Sequence, residues 1–151
     1  MSVKLSVRSM PRVIHDLQKA VDKVTGAGKV TVGIHQAHAL DGRKGGEPNN
    51  PTIGAINHFG TETIPARPWL DKGVEAGAAR ITAHAVYCMK QGMEPARMLE
   101  QLGAMAVGEV QKYVTELDTP PNAPSTIRQK GSSNPLINTG ALRQSITYEV
   151  H

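Results

Sequence analysis

Between Pro68 and Leu117 the apolar residues of this chain fall on two successive stripes, broken once at Gly92. In the first, Leu70, Val74, Ile81, Ala85 and Cys88 share one face at the spacing of an amphipathic helix. Gly73, Gly77 and Ala78 carry almost no bulk, so a second helix can come close to that face. In the second stretch, opened near Glu94 with Pro95 in its first turn, Leu99, Leu102, Ala106, Val110, Tyr113 and Leu117 step by three or four. Two such stripes joined by a short connection predict an antiparallel helical hairpin. Only 3% of the residues are aromatic, so the core must be built from Val, Leu, Ile, Met and Ala, and close helix packing must replace bulky anchors.

Shorter elements flank the hairpin. Residues 3–8 alternate, with Val3, Leu5 and Val7 on one side, which predicts a half-buried strand. Ser9 offers a cap, Pro11 suits a first helical turn, and Val13, Ile14, Leu17, Val21 and Val24 predict a helix over 10–25, ended by Gly26 and Gly28. A second strand follows in KVTVGIH, with Val30, Val32 and Ile34 on one face. Residues 36–50 have glycines, charges and no sustained period, which reads as a mobile loop. Pro51 opens a short helix with Ile53, Ile56 and Phe59, stopped by Gly60. TETIPARPW is then extended, because each proline disfavours helical geometry at the residue before it. Residues 118–138 form a Pro-rich irregular arm, residues 139–144 one helical turn, and SITYEV a last strand with Ile146, Tyr148 and Val150 inward. The strands are few and far apart in sequence, which excludes a doubly wound parallel sheet. The expected fold is α+β: one domain over 1–151, its small antiparallel or mixed β-sheet packed against an N-terminal helix and the long hairpin. The C-terminal strand should pair with one of the first two.

Little in the chain points to chemistry. Cys88 is the single cysteine, placed near a helix C-terminus where the dipole opposes a thiolate, and reads as core. One cysteine and no apolar leader imply a reducing cytoplasm as the place of synthesis, and no run is long enough to span a membrane. His35, His38, His58 and His15 lack CxxC or HExxH spacing, so no metal site is expected. No serine lies in GxSxG or SxxK, and the glycines of DGRKGGEP match neither phosphate-loop nor dinucleotide spacing. Neither catalysis nor a cofactor is therefore expected. The net charge of +4 is small and scattered, with local concentrations only at Arg43-Lys44 and at Arg128 with Lys130; both read as solvated loops.

Three segments, VTVGIH at 30–35, IGAINHFGTETIPARPWL at 53–70 and PLINTGALRQSITYEV at 135–150, together resemble the tail-completion, or neck, family of long-tailed bacteriophages, also described as phage virion morphogenesis proteins. Asn57, Phe59, Gly60, Ile64, Pro65, Arg67, Pro68 and Trp69 fill the places of the family's asparagine, aromatic-glycine pair, I-P-x-R-P block and following aromatic. His58 stands where an acidic residue is common. The resemblance implies a non-catalytic virion protein, assembled in the bacterial cytoplasm. It would form a ring homo-oligomer on the tail axis, joining the tail tube or tail terminator protein to the head-tail connector proteins, with DNA passing through the lumen. Proline on both sides of Arg67 fixes the directions of Arg67 and Trp69, which suits a contact surface. Phe59, Arg67 and Trp69, with the basic residues Arg43, Lys44, Arg128 and Arg143, are the candidate subunit-contact residues. A tail terminator or head-closure ring protein is the nearest alternative. A small nucleic-acid-binding protein would use the basic loop, but lacks interleaved aromatics. A hydrolase using His35, His38 and His58 is the remaining reading.

Overall fold

The computed structural model describes residues 19, 26, 28–35, 48–137 and 139–151. Their elements, in chain order, are β1 (Val30–Gly33), α1 (Asn50–Phe59), α2 (Trp69–Lys90), α3 (Pro95–Glu116), α4 (Pro124–Lys130), α5 (Ala141–Gln144) and β2 (Thr147–Val150). The expected strand at 3–8, the helix at 10–25 except Lys19, and most of the loop at 36–50, with Arg43 and Lys44, lie outside the described residues.

Helices α2 and α3 form the hairpin, and small residues set their separation. A Cβ added at Gly73 would lie 2.8 Å from the backbone Cα of Val110, so the two helices meet almost backbone to backbone there. The turn between them closes as a Schellman motif: the Gly92 amide donates to Met89 O and the Met93 amide to Cys88 O, both at 3.0 Å. Gly92 takes φ +65°, the left-handed conformation that this motif needs.

Strands β1 and β2 pair antiparallel, Val30 opposite Val150 and Val32 opposite Tyr148. The C-terminal strand therefore pairs with the second predicted strand, and Lys29 and His151 extend the ladder by exchanging two backbone bonds of 2.9 Å. The inner face lies on α3. Tyr148 lays its ring against Gly103, where a Cβ would overlap it, and its hydroxyl donates to Glu100 Oε2 at 2.8 Å. The outer face is polar, with Thr31 Oγ1 3.0 Å from His151 Nε2 and His35 Nδ1 2.9 Å from Thr147 Oγ1.

The core gathers Trp69, Val110, Val114, Leu136, Leu142 and Ile146, with Val32, Ile34, Ile53 and Val74 packed against it. This is the expected α+β class, a small antiparallel sheet against a helical hairpin.

The segment after α3 corrects one expectation. Within the stretch read as irregular, Pro124 starts the seven-residue helix α4, and Gly131 at φ +68° ends it with an amide bond to Ile127 O of 2.9 Å. Asn134 then fastens the chain to its own domain. Its Nδ2 donates to Val114 O and Thr115 O, at 3.1 and 3.0 Å, carbonyls that the end of α3 leaves without helical partners. Its Oδ1 accepts from the amides of Leu136 and Ile137. Leu136 enters the core beside Val114.

Candidate functional site

The block from Asn49 to Trp69 is held by a sequence of local bonds. Asn49 caps α1, its side chain accepting from the Thr52 amide at 3.0 Å, and Pro51 occupies the first turn. Gly60 ends the helix at φ +78°, its amide donating to Ile56 O. A Cβ there would lie 2.8 Å from both Ala66 N and Ile64 O, so the turn requires glycine for its conformation and for its space. Thr61 closes the next turn: its amide donates to Ile64 O at 2.8 Å, and its hydroxyl accepts from the amides of Thr63 and Ile64. The extended segment then returns against α1 through the Arg67 amide, which donates to Asn57 O at 2.7 Å.

Arg67 and Trp69 point into the molecule. Each is 3% exposed. The guanidinium spans to the segment after α3, with Nε donating to Pro120 O at 2.8 Å and Nη2 to Pro121 O at 3.2 Å. Longer contacts reach Asn57 Oδ1 at 3.4 Å and Asn122 Oδ1 at 3.5 Å. Burial pushes its pKa below the ordinary arginine value. Thr119–Pro120 is a cis peptide. Trp69 starts α2, and its indole Nε1 donates to Gly54 O of α1 at 3.0 Å. A side chain at Gly54 would press on the same indole, so α1 and Trp69 fit together because position 54 is bare.

Phe59 does the opposite. It stands 78% exposed at the end of α1, its ring edge-on to His58 with centroids 4.6 Å apart. His58 in turn contacts the Trp69 ring at 6.0 Å and lies 3.4 Å from Asp71 Oδ2. Beside them is an open hollow of about 340 Å³ lined by Ile34, Pro51, Ala55, His58, Phe59 and Leu70. The block thus presents one large apolar side chain on a base fixed by Arg67 and Trp69. Arg128 and Arg143 are exposed on α4 and α5, away from any carboxylate within ion-pair distance among the described residues.

Of the residues weighed for other chemistry, His15 and His38 lie outside the described residues, and Cys88, His35 and His58 have structural partners. Cys88 is fully buried, its Sγ 3.7 Å from Gln101 Oε1. His35 lies on the outer face of the sheet beside Thr147 and Glu149, whereas His58 faces Asp71. Among the described residues no group of three or more His, Cys, Asp or Glu is placed to hold a metal ion, and no helix is long and apolar enough to cross a membrane. Asn134 and Asn122 were missed as anchoring residues. The available signal for Asn134 was an Asn followed by Pro, a turn-forming pair.

A scan against family models, a search of curated proteins and a search of solved structures each found no match.

Proposed function

We propose that this chain is a structural subunit of a tailed-phage neck, a tail-completion protein that assembles as a ring between the tail and the head-side connector. The reading starts from the ordered resemblance of three segments. The observation that carries it further is Phe59, a largely exposed aromatic side chain on a backbone fixed by the Gly60 turn and by the Arg67 amide bond to Asn57 O. A contact held ready in this way loses little conformational entropy on association.

A closed ring also needs two different faces on each subunit, because its contacts are heterologous. The fold offers a second apolar patch far from the first. Val86, Tyr87 and Met89, respectively 39%, 56% and 41% exposed, lie near the far end of α2. At 1.5 Å per residue, Tyr87 stands roughly 27 Å along that helix from Trp69, which adjoins the Phe59 face. Two separated apolar faces, Phe59 at the end of α1 and Val86, Tyr87 and Met89 toward the end of α2, suit head-to-tail contact around an axis. Phe59→Ser and Tyr87→Ser should each keep the melting temperature of the parent chain yet fail to be retained on particles when supplied in place of it. Normal retention of both variants would count against the assembly reading.

A further inference from the structure

The base of the Arg67 block holds a second feature, independent of the assembly reading. A hollow of about 570 Å³ opens between helix α4 and the extended segment before α2, and its polar lining is Asn57, Thr63, Arg67, Asn122, Thr126 and Lys130. Two of these are cations. Among the described residues no carboxylate lines the hollow or forms an ion pair with either of them. Arg67 is offset only by carbonyl and amide oxygens, and Lys130 Nζ is drawn into the wall by Asn134 O and Pro135 O, both at 3.3 Å. Burial, and then repulsion from Arg67, hold the Lys130 pKa below the ordinary lysine value. A long flexible lysine beside a buried guanidinium would normally extend into water. Here it is held next to a like charge, an arrangement that an arriving anion would relieve.

We propose that this hollow is a receptor for a small oxyanion group, a carboxylate or a phosphate. The Thr63 and Thr126 hydroxyls supply neutral donors around the two charges, the mixture that fixes an oxyanion by charge-assisted hydrogen bonds. Arg67 lies deep, so the anion comes as a free ion or at the tip of a single side chain.

The test uses the full chain labelled with ¹⁵N. The Nε–H resonance of Arg67 is followed during titration with inorganic phosphate and, separately, with sodium acetate, at ionic strength held constant with chloride. At least one anion should shift it saturably and raise the melting temperature. Lys130→Met should weaken that binding about tenfold or more, and Lys130→Arg should retain it. Thr126→Val leaves both carbonyl contacts of Lys130 in place and should also weaken binding, so a loss of fold in Lys130→Met does not decide the matter. Saturation by both anions indicates a carboxylate-accepting site; saturation by phosphate alone indicates a phosphate site. No saturable shift with either anion, or equal shifts in the parent chain, Lys130→Met and Thr126→Val, would overturn the proposal.

Discussion

At Gly73 and Gly108 the same substitution should act with opposite signs. Both sit inside long helices, where alanine is intrinsically better than glycine by about 1 kcal/mol. At Gly108 an added Cβ meets nothing within 4 Å, so Gly108→Ala should stabilise the chain by roughly that amount. At Gly73 it would strike the backbone of Val110, which cannot rotate away, so Gly73→Ala should destabilise by about 1–3 kcal/mol. Urea melts of the two variants, read as midpoints at constant slope, measure both. Trp69→Ala should cost about 3–5 kcal/mol, since it removes a core side chain and leaves Gly54 O without its indole donor. The small residues of the hairpin were legible as a close approach, because glycine on an apolar stripe has few other uses. The direction of Arg67 and Trp69 was not legible. Flanking prolines fix the backbone there, but whether the side chains face inward depends on carbonyls at 120 and 121, far away in sequence, and on a bare position at Gly54.

The hairpin and both described strands followed from periodicity, since each buries one face and the period reports that face. Helix α4 did not, because proline suggested irregular chain, although proline is also favoured in a helical first turn. The stable course of residues 131–137 rests on the side chain of Asn134 and on the orphan carbonyls at the end of α3, contacts that periodicity does not encode. One link between elements makes a pH prediction. The hydrogen bond to Glu100, followed by burial and the Glu100 charge, raises the Tyr148 pKa above the ordinary tyrosine value. The folded chain therefore keeps that proton more tightly than the unfolded one. Its contribution is full below the unfolded value of about 10 and is lost as pH rises through the higher folded value. Stability measured from pH 9 to 11 should fall along a slope that Tyr148→Phe makes shallower; an unchanged slope would show that this link between β2 and α3 contributes nothing.

The molecule closes by bringing its last residues onto its first described strand. Ile146 is 2% exposed in the core, and β2 is the partner of β1 in a sheet of two described strands. Two strands alone are marginal in water. Full burial of Ile146 contributes about 1.5–3 kcal/mol, and the half-buried Tyr148 and Val150 of β2 add to it, against a total stability of about 5–15 kcal/mol for a domain. Removal of residues 145–151 should therefore abolish the cooperative melt, as circular dichroism would show. The architecture that results has a buried centre and exposed apolar side chains at Phe59 and at Val86, Tyr87 and Met89, which fits the proposed ring subunit. Electron microscopy of particles assembled without this protein tests that reading most directly. The account predicts filled heads and finished tails lying separate; intact virions with heads and tails joined would contradict it.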